Sequence, residues 1–517
     1  MHSFPWLTLL ILMPLLSGLG VMLWGAGRSR WTRRIAQGVC GLSGWTILAL
    51  TKEVDLRSGS LQAVERHAWI PSLGVEYYLG LDGLGWVLLL LTVVVASMAL
   101  GAAGEVGERP HLFDGLVLCL MAGLFGTFTA QNFVHWFLFW ELSLIPAFFL
   151  VRLWGGHRRR VVSLQFFLFT LAGSIAMLLG FLIQYAGTGQ MNFPELAQLA
   201  QQGRLWPQVA EVWKGWGWTE REVALGVLLA VLAGFAVKVP MMPLHAWLPS
   251  TYAEASTPVS MLLTGVMSKM GVYGLVRIFL PLFQEPLRWV WPWLAGLALW
   301  TVIASACAAL AQRDLKRILA YSSVNHLGYC LLAVFALGAA GPVSGSIVHQ
   351  AAALNGVILQ MFNHGLTAAT LFWCVGWLEK GNGGFRELDQ FGGLRAAVPI
   401  FCGLMGMATF ASLGLPGLNG FIGEFLIFLG VFGLAPWAAW LALPGLLVTA
   451  VFLLTMVQRV FYGPMKTTGQ RWMDVDWRER TGLGAAVIVM VLLGLWPQLL
   501  LQFTHPFVMH LLAGLRL

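Results

Sequence analysis

This sequence encodes an all-α polytopic membrane protein of about fourteen transmembrane helices, with two inverted five-helix repeats (spans 4–8 and 9–13) and breaks in helices 7 and 12. Three features argue for it: composition, the spacing of apolar runs, and a register shared by two parts of the chain. Of the 517 residues, 58% are hydrophobic and 10% charged, at a mean hydropathy of +0.76. Soluble domains carry about 25% charged residues, so a soluble globular protein is excluded.

About 20 apolar residues cross a bilayer as a helix. Such runs are centred near residues 14, 43, 93, 121, 143, 174, 232, 269, 300, 327, 362, 415, 449 and 493. The first, Phe4 to about Trp24, is too long for the core of a signal peptide. It lacks a preceding basic segment and a small-residue cleavage site, so it reads as a retained span. The run from 345 to 378 is overlong for a single span. The longest polar loops, 53–80 and 188–222, are too modest for a separate catalytic domain. The expected organisation is a three-helix region (1–110), a first five-helix repeat (111–282), a second, inverted one (283–465), and a C-terminal loop with the last helix (466–517).

Basic residues test the count. If loops alternate sides, one side holds 19 Lys and Arg residues, among them Arg28, Arg30, Arg33, Arg34, Arg158, Arg159, Arg160, Lys316, Lys466 and Arg471. The other side holds 8: Lys52, Arg57, Arg66, Arg204, Lys214, Arg221, Arg288 and Arg516. The positive-inside rule puts the first side in the cytoplasm, and a miscounted span in the middle would have scrambled the bias. A basic cytoplasmic face also explains the net charge of +8 better than nucleic-acid binding does.

The six cysteines, Cys40, Cys119, Cys307, Cys330, Cys374 and Cys402, lie singly in apolar runs, with no CxxC spacing. They read as small buried hydrophobes rather than as a zinc site or disulfide framework. His245 in PLHAWLP has neither an HExxH context nor cysteine partners, so it reads as a hydrogen-bonding group at a helix break, not a metal ligand. The 25 tryptophans read as interfacial anchors and lipid-facing bulk.

Ionisable residues inside the spans carry the functional signal. Glu141 sits in HWFLFWELSLIP, Lys238 in VKVPMMPLHAWLP, Lys269 in VMSKMGVYG, His326 in SSVNHLGY, His364 in QMFNHGLT and Glu424 in GFIGEFLIF. Arg277 and Arg459 lie near span ends, where a long side chain snorkels to water. A charge at the bilayer centre costs at least about 2.5–3.5 kcal/mol. One such pair is well explained as a structural bridge locking two helices. Two lysines, two glutamates and two histidines spread over several spans fit a proton relay better. Desolvation disfavours the charged form of both lysine and carboxylate, and bringing the two together opposes that. Glu141 is therefore expected to set the proton affinity of Lys238.

The spacing of these residues reveals a repeat. Glu141 to Lys238 is 97 residues and His326 to Glu424 is 98, and the two pairs are offset by 185 and 186. Spans 5 and 7 thus match spans 10 and 12. An offset of five spans, an odd number, turns the second unit upside down, as in secondary transporters. Both key spans are interrupted, by Pro240 and Pro243 after Lys238 and by Gly414, Pro416, Gly417 and Gly420 before Glu424. Matched broken helices mark the ion site in such proteins.

At these residues the protein resembles the antiporter-like subunits of respiratory complex I. The motifs are HWFLFWELSLIP (135–146), VKVPMMPLHAWLP (237–249) and LAYSSVNHLGY (319–329), and the likeness covers nearly the whole length. Glutamate rather than lysine in GFIGEF (420–425) looks most like the branch called subunit M or subunit 4. The resemblance implies a proton-translocating subunit of an NADH, NAD(P)H or ferredoxin:quinone oxidoreductase. It binds no NADH, quinone or iron–sulfur cluster itself and is packed beside related antiporter-like subunits and lipids. Glu141, Lys238, Lys269, His326, His364 and Glu424 match the family's relay positions. Where many relatives continue WLPDAH, this sequence reads WLPSTYAEAS (247–256), leaving Glu254 as a substitute acid. The opening FPWLTLLILMP is similar to the cyanobacterial and plastid form, which implies a plastoquinone-linked complex in a thylakoid membrane; otherwise a bacterial plasma membrane is implied. A subunit of a multisubunit cation/proton antiporter shares many of these motifs, and a purely structural membrane-arm subunit is the third reading.

A tag in loop 155–160 or 466–480 is expected to be cytoplasmic and one in 188–222 to face the other side, as read by impermeant labelling of sealed vesicles. Finding 155–160 and 188–222 on one side breaks both the span count and the inverted repeat.

Overall fold

The computed structural model describes residues 4–27, 29–104, 107–340, 346–466 and 472–515. Arg28, Arg471 and Arg516, weighed above in the charge count, lie outside the described residues.

Every one of the fourteen apolar runs coincides with a helix or a broken helix. The first three spans are Trp6–Trp24, Ser29–Glu53 and Gly83–Ala102. Spans 4 to 8 are Pro110–Thr129, Phe133–Trp154, Arg159–Thr188, the pair Glu220–Lys238 with Trp247–Glu254, and Thr257–Leu282. Spans 9 to 13 are Gln284–Leu310, Leu315–Ala339, Ser346–Gly381, the pair Pro399–Ser412 with Asn419–Leu434, and Pro436–Phe461. Nine of these helices are long and apolar enough to cross a membrane unaided, and Trp477–Leu495 meets Gln498–Gly514 at a 60° bend to make a tenth.

The remaining four fall short for identifiable reasons. Ser29–Glu53 and Glu220–Lys238 open on charged residues, Pro399–Ser412 and Asn419–Leu434 are halves of one span, and Ser346–Gly381 carries buried Gln350, Asn355, Gln360, Asn363 and His364. The overlong run is one helix of 36 residues, about 54 Å at 1.5 Å per residue, which exceeds the hydrocarbon thickness.

The two five-helix units pack alike: span 4 on 5 and 6 on 7 in the first, span 9 on 10 and 11 on 12 in the second. Glycine permits the closest approaches. A Cβ on Gly423 of span 12 would stand 2.6 Å from Gln360 Oε1, and one on Gly356 of span 11 would stand 2.5 Å from Ile427 N. The two backbones therefore nearly touch where the polar residues face each other.

The polar loops hold structure that the sequence reading left unassigned. Gln62–Ile70 and Val75–Leu81 form an antiparallel hairpin, and loop 188–222 folds into Phe193–Gln201 and Leu205–Glu211. Both grip the start of span 5. Gln131 N–H donates to Tyr78 O at 2.8 Å, Phe133 N–H to Met191 O at 2.7 Å, and Asn132 caps the helix through Val134 N–H at 3.1 Å. Gln498–Gly514 lies against the first three-helix region, with Phe503 4.7 Å from Trp86 and Arg57 donating to Gln502 Oε1 at 3.1 Å.

Arg277 does not snorkel, contrary to what its place near a span end predicts. It ion-pairs with Asp82, and its guanidinium lies 4.9 Å from the Phe507 ring and 5.6 Å from that of Tyr273. Asp82 also caps span 3 through Gly85 N–H at 3.1 Å. A nearby buried acid makes burial of the arginine tolerable, and sequence distance hid the pair. Arg459 behaves as expected, half-exposed and 3.0 Å from Asp389. Cys307 is exposed rather than buried.

Breaking a buried ion pair strands the remaining charge, at about 3–5 kcal/mol. Asp82→Asn is expected to lower thermal stability by that order, and Asp82→Asn combined with Arg277→Met to lose less than the two single changes together. Thermal unfolding of the detergent-solubilised protein checks this; strict additivity would show the pair to be uncoupled.

Candidate functional site

Lys238 is the last residue of the helix before the first break. It is 3% exposed, and its Nζ has no hydrogen-bond partner among the described residues. The break is closed around it. Met241 N–H returns to Ala236 O at 2.8 Å, Met242 N–H reaches Thr301 Oγ1 of span 9 at 3.0 Å, and Trp247 Nε1 donates to Val237 O at 3.0 Å. The ammonium sits 4.9 Å from the centroid of the Trp140 ring. Ser174 of span 6 fixes that indole by accepting from Nε1 at 3.0 Å. A desolvated cation on an indole face gains about 2 kcal/mol, so Trp140 is the direct neighbour of the lysine charge.

Glu141, the next residue after Trp140, is half-buried, and its Oε1 has no partner among the described residues. It makes no ion pair with Lys238 within 4 Å. The expected acid–lysine pairing is therefore not a contact in this structure.

The other four residues are brought into a line. Lys269 is fully buried in span 8, between π-helical segments Leu263–Met267 and Leu275–Phe279. The Ser268 N–H reaches back five residues to Leu263 O at 3.1 Å, so Thr264 O is left to accept the Lys269 ammonium at 2.5 Å. The same ammonium lies 2.9 Å from His364 Nδ1 of span 11. An ammonium only donates, so His364 Nδ1 accepts and the ring carries its proton on Nε2. The His364 and His326 rings are 5.2 Å apart. His326 Nδ1 then lies 2.7 Å from Glu424 Oε1, and its Nε2 lies 3.3 Å from Ser412 Oγ.

Glu424 is placed by the second break. Gly414 has φ +71°, a left-handed conformation favouring glycine, and a Cβ there would stand 3.1 Å from Glu424 Oε2. Gln360 Nε2 of span 11 donates to Glu424 Oε1 at 3.1 Å. Where the helix resumes, Asn363 Nδ2 donates to Asn419 O at 2.6 Å and Asn419 Nδ2 to Asn363 O at 3.3 Å, a reciprocal amide bridge between the spans.

The line thus runs Lys269–His364–His326–Glu424, interrupted only between the two rings, with Lys238 and Glu141 apart from it. Sequence reasoning missed Trp140, Gln360, Ser412 and the Asn363–Asn419 bridge. Gln360 and Asn363 stood in the QMFNHG stretch that supplied His364, whereas Trp140, grouped with the other tryptophans as lipid-facing, is in fact 1% exposed.

Glu254 is spent on structure, accepting from Arg158 N–H at 3.0 Å. His245 lies within the break beside the Pro243 backbone, as the expected hydrogen-bonding role requires, while its Nδ1 makes no closer bond to the described residues. Lys316, assigned above to a cytoplasmic loop, is 2% exposed and lies 2.7 Å from Glu379. Among the described residues no group of three His, Cys, Asp or Glu side chains is arranged to hold a metal ion.

Residues 130–452 match the family described as NADH:quinone oxidoreductase/Mrp antiporter, TM. The chain is similar to NAD(P)H-quinone oxidoreductase chain 4 1 of Synechococcus sp. (strain JA-3-3Ab), 36% identical over 97% of this chain and 91% of the relative. It is 33% identical to NAD(P)H-quinone oxidoreductase chain 4 of Gloeobacter violaceus over 98% of this chain and 92% of the relative. Among solved structures, a chain of respiratory complex I from Thermus thermophilus superposes with a TM-score of 0.81 at 27% identity, covering 98% of this chain and 99% of that one. A chain of the Mrp complex from Dietzia sp. shares the fold, with a TM-score of 0.83 at 22% identity, covering 98% and 99%. On sequence and on fold, the chain belongs to the NADH:quinone oxidoreductase/Mrp antiporter transmembrane family.

Proposed function

We propose that this protein is a proton-translocating subunit in the membrane arm of a quinone-reducing complex, fed by NAD(P)H, NADH or ferredoxin. The complex resides in a bacterial plasma membrane or a thylakoid membrane. Related antiporter-like subunits and lipids surround the chain; the redox centres and the quinone belong to other subunits. The observation that carries the reading is the line of buried ionisable side chains joining span 8 to span 12, Lys269 to His364 and His326 to Glu424. A packing role needs only one bonded pair, whereas a line of exchangeable protons costs desolvation at each member.

The chemistry follows from the contacts. Lys269 passes a proton to His364 Nδ1, and His364 releases its Nε2 proton towards His326. His326 gives a proton to Glu424, which stores it by becoming neutral. The first-half lysine stores its proton as a positive charge, held against Trp140 and biased by Glu141. The two halves therefore differ in charge when loaded, positive at Lys238 and neutral at Glu424, and a conformational signal that moves Glu141 relative to Lys238 acts on the first.

Glu141→Ala and Lys238→Ala are each expected to stop most proton pumping in membranes holding normal amounts of complex, with Glu141→Asp milder. Disappearance of the assembled complex in both would show a structural pair instead. Glu424→Gln keeps the shape and the hydrogen bonds but cannot ionise, and is expected to block pumping. Glu424→Lys keeps a titratable group at that depth and is expected to retain part of it. Protons pumped per electron in sealed vesicles is the measurement, and normal pumping by Glu424→Gln removes that residue from the path.

A further inference from the structure

Spans 4, 5 and 6 end around a cleft that the proton line does not use, on the side that the charge bias assigns to the cytoplasm. Its volume is about 230 Å³, and Arg109, Arg152, Arg159 and Arg160 line it with Glu108, Leu153 and Trp154. Its walls are tied together through the backbone. Trp154 Nε1 donates to Glu108 O at 2.9 Å, joining the end of span 5 to the loop before span 4. Arg152 Nη1 donates to Arg160 O at 3.0 Å and Arg159 Nη1 to Gly155 O at 3.3 Å, across the turn between spans 5 and 6.

Three observations set this cleft apart. Elsewhere on the same side Arg33 pairs with Asp114, Lys316 with Glu379, Arg386 with Asp314, and Arg313 and Arg459 with Asp389. In the cleft no arginine has a carboxylate within 4 Å among the described residues, so four positive charges stand against the single negative charge of Glu108. Secondly, Arg109 has φ +54°, a left-handed conformation that disfavours a residue with a Cβ. Backbone geometry alone favours glycine there, so its arginine answers another demand. Thirdly, the membrane-facing surface below the cleft is open and apolar. Leu153, Phe149 and Ile145, four residues apart on span 5, are exposed, and so are Val161, Leu164 and Leu168 on span 6. Phe148 and Phe167 pack 5.4 Å apart between the two helices at this level, so the two stripes run side by side. Leu153 belongs to both the cleft and the stripe.

We propose that this cleft binds the headgroup of one anionic phospholipid of the cytoplasmic leaflet, whose acyl chains lie along the stripe on spans 5 and 6. Basic pockets between membrane helices on that side suit such headgroups, and the guanidinium fork matches the phosphate oxygens. The cleft is smaller than the roughly 300–1,000 Å³ that holds a drug-sized molecule, which suits a phosphate with a short polar cap rather than a nucleotide. A zwitterionic lipid would bring its own ammonium among the four arginines, so the headgroup carries no cation. A free phosphate would satisfy the arginines and leave the apolar stripe unused. The site stands apart from the proton line and does not depend on the reading of that line.

The test follows thermal unfolding of the purified full chain in neutral detergent as phosphatidylglycerol is added. A ligand of the folded state raises the unfolding temperature with its concentration, and that dependence gives the apparent affinity. Each arginine beside an anionic lipid is worth about fivefold, so Arg152→Gln/Arg159→Gln/Arg160→Gln is expected to weaken binding by about a hundredfold. Arg395→Gln/Arg478→Gln/Arg480→Gln removes as many exposed charges from the same side, away from the cleft, and is expected to leave the affinity near that of the unmodified chain. Arg109→Gly separates binding from folding. It relieves the left-handed backbone, so the unfolding temperature without lipid is expected to hold or rise, while lipid binding weakens by about fivefold. Phosphatidylcholine and glycerol 3-phosphate, added in parallel, are expected to protect little. Equal affinity of the cleft triple variant and the unmodified chain overturns the site, as does equal protection by phosphatidylcholine. Equal protection by glycerol 3-phosphate makes this a site for soluble anions and overturns the lipid. Loss of a neighbouring subunit from the intact complex of the triple variant, with lipid affinity unchanged, puts a partner's acidic segment in the cleft and also overturns the proposal. If the triple variant does not fold, Arg109→Gly decides alone.

Discussion

Hydrocarbon offers no solvent to an ion, and the arrangement of this protein follows from that constraint. Several of the buried ionisable groups have a neighbour that substitutes for water, and the choice of neighbour differs from place to place. Arg277 has a carboxylate, Lys238 an indole face, Lys269 a backbone carbonyl and an imidazole, and Glu424 an imidazole and an amide. The paired charges at Arg277 and Asp82 are locked by mutual attraction and serve packing. A lysine on an indole or a glutamate on a histidine is held by weaker, reversible interactions, and such a group can exchange a proton without first breaking an ion pair.

Helix breaks are the second device. A break inside a membrane frees backbone groups that must find partners within the protein. Thr301 fills that role at the first break, and the Asn363–Asn419 amide bridge fastens the helix that resumes after the second. The π-helical segment beside Lys269 is a milder version of the same tactic: one carbonyl is released from the helix ladder and turned into a ligand for an ammonium. In all three cases the polarity that the ionisable residues require is drawn from the backbone and from neutral side chains, not from further charge.

Much of this is legible in the sequence because long apolar runs and rare buried charges are strong signals. The spans, the two interrupted helices and the register between Glu141–Lys238 and His326–Glu424 can all be read from spacing alone. The partners cannot. Asp82 lies 195 residues from Arg277, and an acid at the start of a span reads as a helix cap, which it also is. Trp140 is lost among 25 tryptophans, 12 of which are exposed. Gln360, Ser412 and Thr264 are common residues in membrane helices, and only the placement of a charged neighbour gives them meaning. The hairpin in loop 53–80 escapes for another reason: with spans to find, a polar stretch reads as connection only.

The helix Gln498–Gly514 has a consequence for how the molecule is made. Its Gln502 meets Arg57 across 445 residues of sequence, and its Phe503 carbonyl lies so close to Gly83 that a Cβ there would stand 1.9 Å away. The docking surface on the first three spans therefore enters the membrane, during synthesis, long before the segment that covers it leaves the ribosome. Over that interval the early helices present an uncovered face to lipid and to whatever other proteins are inserted nearby. Biogenesis of this protein is thus a waiting problem: its earliest-inserted helices reach their final packing only when nearly all of the sequence has been translated.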